Sequence, residues 1–313
     1  GSEMCIRDSI SLISGEEISL RRPSLKTSLI TGDVKLRISI DVYPVVENTS
    51  IDIRKFSMRM LKLKDLIKLG SLSIDLAALL VFLLRNRFTI VICGEPDSGK
   101  TTLAHALSTF LPIEWRKIYL EDVDELYTTY QTRSSKHRVL IKTSSLDVSN
   151  DLYSKKSIEI IKLLHRSPDW IFLGEIQTKE HTKAMIHAFL TGLRGLLTCH
   201  ANNAEELLKR WIYQYNIHPT NLTVINLIVC MKKIINENYI KRRVDEVYEI
   251  IEINEKTNFP ILNKIYAHGN MFELNKDKLN SIYLLRRISE NNKLSLTEII
   301  EEIEKIKKEI DNE

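Results

Sequence analysis

The sequence predicts an α/β fold with a mainly parallel sheet. From residue 88 onward, short apolar runs alternate with stretches of helical spacing, and buried strands that alternate with helices favour a parallel sheet covered on both faces. A glycine turn joins the first of these strands to a helix. Near residues 57–62 the apolar spacing changes from period two to helical. We therefore predict a small N-terminal sheet domain over residues 1–60 and a larger α/β domain over residues 61–313.

Composition narrows the classes of function. Hydrophobic residues make up 43% of the 313 residues and charged residues 27%, enough for a packed core and too apolar for a disordered chain. The net charge of +4 argues against a dedicated nucleic-acid binder. The longest apolar run, Ile74–Leu84, is about half of the roughly 20 residues that a membrane span needs. Four scattered cysteines without C-x-x-C spacing indicate a reducing, cytosolic compartment.

The N-terminal domain is predicted from period-two alternation in Val34–Ile40 and Ser50–Arg54, with Thr31-Gly32-Asp33 as a turn. Gly1-Ser2 is typical of a cloning remnant, and residues 3–9 are either native or non-native, so they carry no prediction.

The larger domain is predicted to begin with helical spacing from Leu61 to Leu69, followed after Gly70-Ser71 by a second helical segment, Ile74–Leu84. Its strands are predicted at the apolar runs, which are Phe88–Cys93, Lys117–Leu120, Trp170–Leu173, Gly195–Cys199 and Ile225–Cys230. Val244–Ile253 and Ile261–Ala267 alternate as an antiparallel pair would. An amphipathic helix with the capping box Ser295-x-x-Glu298 ends the chain.

The strongest motif lies between the first strand and the helix from Lys100 to about Phe110. It matches G-x-x-x-x-G-K-[ST] and reads Gly94-Glu95-Pro96-Asp97-Ser98-Gly99-Lys100-Thr101, followed by Thr102. In this context the loop predicts a site for a nucleoside triphosphate, with Lys100 bridging the β- and γ-phosphates and Thr101 binding Mg²⁺. The alternative is an ordinary glycine turn before a helix.

Two acidic segments follow apolar strands at the same predicted sheet edge. Glu175, in Gly174-Glu175, is placed to polarise water or to hold the water shell of the metal, and the alternative is a solvated carboxylate. Glu121 opens a cluster of four carboxylates over residues 121–125 that suits Mg²⁺ and orientation of the nucleophile. For this cluster the alternative is a solvated acidic loop.

His200 ends the strand Gly195–Cys199. Its position in chain order, after the glycine loop and Gly174-Glu175, makes it a candidate sensor of the γ-phosphate. A lone histidine after a strand is otherwise usually structural.

Taken in order, these motifs resemble those of the type II/type IV secretion ATPase superfamily. The matching segments are Gly94–Thr102 (Walker A), Glu121-Asp122 (Asp box), Pro168-Asp169 with Gly174-Glu175 (Walker B) and Thr191-Gly192 with Thr198-x-His200 (His box). The flanking segments Leu66–Gly70 and Arg242–Val244, and the absence of a four-cysteine zinc insert, resemble the archaeal branch that serves pili, archaella and secretion. The resemblance runs from about Pro23 to the C-terminus.

The resemblance implies a Mg²⁺-dependent ATPase with a RecA-like domain that forms a ring, usually of six copies. It also implies a cytosolic location, peripheral to the membrane through a polytopic platform protein. Arg37 and Arg54 stand at the positions of family arginines that reach the nucleotide, although each also suits a solvent-facing strand position. The N-terminal part is expected to be truncated relative to longer members.

Two departures from the family pattern stand out. Gln177 occupies the place of the usual arginine after Gly-Glu, and an amide lacks the fixed charge and fork of a guanidinium. The basic segment Gln131–Arg138 is diverged, and Arg133 is either an arginine that acts on a neighbouring subunit or part of a solvated loop. The leading prediction is therefore a hydrolytic motor. The alternatives are an assembly subunit that turns over ATP poorly and, disfavoured by charge, a nucleic-acid translocase.

Overall fold

The structure is a computed structural model that describes residues 2–15, 17–31, 34–57, 61–121, 136–143, 156–236, 239–270 and 272–313. The chain divides into two compact units, one within residues 1–60 and one within the described residues from 61 to 313.

The N-terminal unit contains helix α1 (Ser2–Ser14) and three strands, β1 (Ser24–Thr31), β2 (Val34–Asp41) and β3 (Ser50–Ser57). The strands form an antiparallel sheet in the order β1-β2-β3, which confirms both predicted strands. Apolar side chains from the helix and the sheet bury a small core: Ile10, Leu25, Ile38, Ile40 and Val42. Helix α1 was not predicted, because most of its residues lie in the N-terminal segment for which the sequence carries no prediction. Gly32 and Asp33 of the predicted turn lie outside the described residues.

The larger unit is built on an eight-stranded sheet in the order β11-β10-β9-β4-β8-β7-β5-β6. The neighbouring strands β9, β4, β8, β7, β5 and β6 pair in parallel. The pairs β9–β10 and β10–β11 are antiparallel. The predicted parallel-rich α/β class is therefore confirmed. The bounds are β4 (Ile90–Gly94), β5 (Lys117–Glu121), β6 (Arg138–Lys142), β7 (Trp170–Leu173), β8 (Gly195–Cys199), β9 (Leu227–Asn236), β10 (Tyr239–Asn254) and β11 (Phe259–Ala267).

Helices cover both faces of this sheet. Along β4, Ile90 and Ile92 face one apolar cluster and Val91 and Cys93 face another, the alternation expected of a strand buried on both sides. The helices are α2 (Leu63–Lys68), α3 (Ile74–Arg85), α4 (Lys100–Ser108), α5 (Lys156–Lys162), α6 (Lys179–Leu190), α7 (Ala204–Lys209), α8 (Lys276–Ser281), α9 (Tyr283–Asn292) and α10 (Leu296–Asp311). Among the residues that the structure describes, no helix is long and apolar enough to cross a membrane.

The predicted helix Ile74–Leu84 and the predicted C-terminal helix pack on each other. Helix α3 begins at Ser73, whose side chain accepts a hydrogen bond from the Leu76 N–H, and it buries all residues from Leu76 to Leu84. Helix α10 begins with the predicted capping box of Ser295 and Glu298.

Several strands differ from their predicted bounds by a few residues, and one strand, β6, was not predicted. Strand β9 begins two residues later than the predicted Ile225 and continues to Asn236, because its second half pairs with β10 rather than with the central sheet. Strand β6 was not predicted, since Arg138 and Lys142 enclose a core of only three apolar residues. Arg138 therefore belongs to a strand and stacks 4.3 Å from the Tyr119 ring instead of lying in a basic loop. Gln131–Ser135, including Arg133, lie outside the described residues.

Candidate functional site

The glycine loop joins β4 to α4 at the carboxyl edge of the sheet. A Cβ on Gly94 would lie 2.5 Å from the Met231 carbonyl oxygen, so a side chain there would displace the neighbouring strand. Gly99 caps α4 at φ +92° and Asp97 lies at φ +58°; both are left-handed conformations, which glycine adopts readily and aspartate tolerates. The loop therefore brings main chain, rather than side chains, against the start of a helix. Such a terminus favours an anion because its first N–H groups lack intrahelical acceptors.

The Lys100 ammonium is held by this loop. Its Nζ donates hydrogen bonds to the carbonyl oxygens of Gly94 (3.1 Å) and Glu95 (2.8 Å), and Lys100 is only 5% exposed. Burial lowers the pKa of Lys100, and the nearby Glu175 carboxylate opposes that shift.

His200 lies between Lys100 and Glu175. Its Nδ1 is 3.2 Å from Lys100 Nζ, and its Nε2 is 3.9 Å from Glu175 Oε1. Because an ammonium only donates, Nδ1 is assigned as the acceptor and Nε2 carries the proton. Burial, followed by the charge of Lys100, lowers the pKa of His200, which favours the neutral ring. The Arg210 guanidinium donates to the His200 carbonyl oxygen. Three residues predicted from separate motifs are thus brought together.

Glu175 lies on a turn directly after β7, at φ +42°. The N–H groups of this turn are all bonded: Gly174 to the Leu120 carbonyl (2.9 Å), Glu175 to Thr198 Oγ1 (2.9 Å) and Ile176 to the Thr198 carbonyl (2.8 Å). The Gln177 amide donates to Glu175 Oε2 at 2.7 Å. A strained conformation at a carboxylate persists only when its surroundings over-determine it, as they do here.

Glu121 has a different environment. Its carboxylate is buried, and Oε1 lies 3.1 Å from Nε2 of His105 on α4. The contact lacks hydrogen-bond geometry, so neither oxygen of Glu121 has a hydrogen-bond partner among the described residues. Asp122, Asp124 and Glu125 lie outside those residues.

The residues of this site can be compared with what a nucleotide and Mg²⁺ require. A loop that excludes a Cβ at Gly94, with a lysine amine on its carbonyls, fits a phosphate chain. The orphaned oxygens of Glu121 have the chemistry that a hard cation takes, and Thr101, half-buried at the first turn of α4, adds a hydroxyl. The residues therefore fit Mg²⁺ and a nucleotide, and their ligand roles stay predictions.

The predicted arginines belong to the N-terminal unit. Arg37 on β2 and Arg54 on β3 are direct cross-strand partners. Two like charges opposite each other destabilise a sheet, so this pair is a feature that the stability of the unit does not explain. Their role at the nucleotide stays a prediction.

Sequence reasoning missed two cations. Arg242 on β10 donates from Nε to the Asp97 carbonyl oxygen at 2.7 Å. Its segment carries part of the family resemblance, but no local pattern ties it to the loop. Lys156 on α5 is fully buried and donates to the carbonyl oxygens of Gly174 and Glu175. Lys156 shares the buried face of α5 with Ile160, but no local pattern ties it to the Glu175 turn.

The fold and the loop define an α/β protein of the secretion-ATPase type. The structure resembles the DotB ATPase of Yersinia pseudotuberculosis with a TM-score of 0.56 at 17% identity, over 97% of this chain and 74% of that chain. It also resembles the pilus retraction motor PilT with bound ADP, with a TM-score of 0.53 at 16% identity, over 75% of this chain and 65% of that one. At these identities the likeness concerns the fold.

Sequence comparison gives the family. Residues 18–267 match the family described as type II/IV secretion system protein, and the chain belongs to that family. It is 30% identical over 248 residues to the uncharacterized protein MJ1287 of Methanocaldococcus jannaschii, covering 76% of this chain and 86% of the relative. It spans only 26% and 42% of two further relatives from the same organism, MJ0781 and MJ0900. The family resemblance predicted from the motifs is therefore confirmed.

Proposed function

We propose that this protein is a Mg²⁺-dependent ATPase that works as a motor. The observation that carries the proposal is the row of Lys100, His200 and Glu175 beside the glycine loop. The Lys100 ammonium lies 3.2 Å from the neutral His200 ring, and that ring lies 3.9 Å from the Glu175 carboxylate. Membership of a secretion family and the fold of PilT, whose structure holds ADP, support it.

In this proposal Lys100 exchanges partners when nucleotide binds. Its hydrogen bonds to the Gly94 and Glu95 carbonyl oxygens hold the ammonium inside the loop. The ammonium then moves to the β- and γ-phosphates without crossing bulk solvent. The metal supplies charge neutralisation on the phosphate oxygens, and Thr101, with Glu121 and Glu175 through water, would hold it. Catalysis then consists mainly of positioning and electrostatics.

Glu175 orients or deprotonates the attacking water. Its side chain is 41% exposed, so a water can reach it, whereas its main chain is fixed by the turn. His200, neutral and with its Nε2–H toward Glu175, is placed to respond when Lys100 leaves its Nδ1 for the γ-phosphate. The histidine therefore reports the state of the nucleotide to the carboxylate.

The motor is proposed to act as a homo-oligomer, a hexameric ring. Arg37 and Arg54 would complete the nucleotide site when domains and subunits close. The ring would dock from the cytoplasmic side on a polytopic membrane platform protein and power a pilus, an archaellum-like filament or protein secretion.

Steady-state phosphate release by the purified protein tests the proposal. We expect Mg²⁺-dependent turnover that Lys100→Ala largely abolishes, because no other point charge in the loop replaces it. Lys233→Ala is the matched control and should keep most of the activity, because it removes a cation that lies 3.9 Å from the Asp97 carboxylate and is not part of the loop. Equal turnover in Lys100→Ala and the parent would contradict the proposal.

Oligomerisation adds a second test. Specific activity should rise with protein concentration if the arginines complete the site between subunits. A flat dependence in a sample shown to be monomeric by sedimentation would contradict that part of the proposal.

A catalytically weak assembly subunit is the second candidate. Gln177 favours it, because the side chain bonded to Glu175 is a neutral amide. Nucleotide binding without measurable turnover, at any protein concentration, would support it. A nucleic-acid translocase is disfavoured by the near-neutral charge, and turnover stimulated by DNA would indicate it instead.

A further inference from the structure

A buried lysine lies directly beneath the Glu175 turn. Lys156 begins α5 and is 0% exposed. Its ammonium donates to two successive carbonyl oxygens, those of Gly174 and Glu175, the second at 3.1 Å. A buried ammonium is strongly destabilising unless hydrogen bonds compensate it, so these bonds make the position of the lysine and the conformation of the turn dependent on each other.

The same two residues donate in the opposite direction. The N–H groups of Gly174 and Glu175 bond to Leu120 on β5 and to Thr198 on β8. Strands β5 and β8 flank β7 on its two sides. They bind the N–H groups of the turn, whereas the Lys156 ammonium of α5 donates to both of its carbonyl oxygens.

The conformation that these bonds hold is unfavourable for its residue. Glu175 has φ +42°, in the left-handed region that a β-substituted residue rarely adopts. Without a donor at the carbonyls, the peptide between Glu175 and Ile176 would keep only the bond of its N–H to the Thr198 carbonyl, and it would be freer to rotate toward a relaxed conformation. The carboxylate would then move relative to His200 Nε2, now 3.9 Å away.

We infer that Lys156 is a positioning residue: its ammonium fixes the main chain of the Glu175 turn and thereby holds the Glu175 carboxylate toward His200. This inference rests on the proposed function in so far as Glu175 serves hydrolysis. Lys156 does not touch the nucleotide in this scheme, so it should affect the rate of the chemical step and leave binding unchanged.

The test compares Lys156→Met with the parent. Methionine keeps most of the volume but donates no hydrogen bond. We expect kcat to fall at least tenfold, whereas the dissociation constant for a fluorescent ATP analogue stays within twofold. Lys156→Arg, which restores a cation and donors, should recover part of the lost turnover. Lys162→Met on the same helix, whose lysine side chain is 50% exposed, is the control and should behave as the parent.

Hydrogen exchange supplies a readout that needs no activity. The amides of Gly174, Glu175 and Ile176 all donate hydrogen bonds, so a peptide over residues 173–177 reports on the turn. In Lys156→Met this peptide should exchange at least tenfold faster, whereas a peptide over β4 should not change. If the parent binds nucleotide without hydrolysing it, faster local exchange still supports the role of Lys156, and only the proposed hydrolysis fails.

Two results would overturn the inference. One is unchanged exchange at residues 173–177 together with unchanged kcat in Lys156→Met. The other is faster exchange over the whole sheet with binding and turnover lost in parallel, which would make Lys156 a general core residue. If Lys156→Met does not fold, Lys156→Gln decides instead, because its shorter, uncharged side chain cannot place an ammonium at both carbonyl oxygens. Unchanged kcat together with unchanged exchange at residues 173–177 in Lys156→Gln would contradict a positional role of the ammonium.

Discussion

Glu121 and Glu175 follow neighbouring strands, yet the chain gives them opposite surroundings. Leu120 pairs with Leu173, so Glu121 lies level with Gly174. Glu121 remains in its strand, opposite Lys142 of β6, and its main-chain carbonyl oxygen accepts a hydrogen bond from the Thr143 N–H. Its side chain, 5% exposed, therefore points as a strand residue does, toward His105 on α4. Glu175 has left its strand with a positive φ, and its side chain is 41% exposed beside His200.

An apolar strand that ends in a carboxylate predicts that the carboxylate lies at the carboxyl edge of the sheet, because parallel strands share that edge. It does not predict the direction of the side chain, which depends on whether the backbone continues in the ladder or turns. For Glu121 the ladder continues on the β6 side, through Lys142, and for Glu175 the turn is fixed by β5, β8 and α5.

The largest expected difference between the two carboxylates concerns turnover. Glu175→Gln should preserve ATP binding and cut kcat by about 10²–10⁴-fold, because an amide keeps the size but cannot accept a proton. Glu121→Gln should have the smaller effect on kcat, since that side chain contacts His105. Single-turnover hydrolysis with parallel binding titrations measures both. A larger loss of kcat in Glu121→Gln would mean that the two roles are reversed.

The second expected difference concerns stability. His105→Leu replaces the polar ring that lies 3.1 Å from the buried Glu121 carboxylate by an apolar side chain, so the carboxylate is left in a less polar environment and the free energy of unfolding in urea should fall by about 2 kcal/mol. His200→Leu, at a side chain that is 35% exposed, should cost less. The double variant His105→Leu/Glu121→Leu should regain part of the loss, because replacing both members of a buried polar pair by apolar groups is often neutral. Additive losses in the double variant would show that the pair is not coupled.

These contrasts mark how far the sequence predicts the site. The glycine loop, its helix and the strands before Glu121, Glu175 and His200 follow from local patterns, and each lies where it was expected. The contact of Glu121 with His105 depends on the fit of α4 against β5. The anchoring of Glu175 depends on Lys156 and Thr198, which are 19 and 23 residues from it in sequence. Such contacts arise from packing between elements, which no local pattern encodes.

A third prediction uses the other end of β5, where Lys117 is buried and donates to the Leu111 carbonyl. Burial, with the nearby Arg138 charge, lowers the pKa of Lys117 to about 8. The unfolded chain, with an ordinary lysine pKa, then binds more protons than the folded one above pH 8, so this group makes stability rise with pH. Between pH 7 and 9 the expected gain is about 1 kcal/mol. Urea unfolding of the parent and Lys117→Met at both pH values measures it, and an identical pH dependence in the two proteins would contradict it.

The smallest expected effect concerns Gln177, the exposed neighbour that bonds to Glu175 Oε2. Gln177→Arg restores the guanidinium implied by the family resemblance and places a fixed charge beside the exposed carboxylate. If that charge serves a subunit boundary, the nucleotide-free protein should shift from monomer toward hexamer, or turnover should rise. An exposed ion pair contributes only about 0.5 kcal/mol, yet contacts repeated around a ring add up and become measurable by sedimentation. Gln177→Lys supplies the charge without the fork and should have the weaker effect. If neither variant changes assembly or rate, the amide is neutral at this position, and the difference between Glu121 and Glu175 then rests on the backbone of the turn and on Lys156.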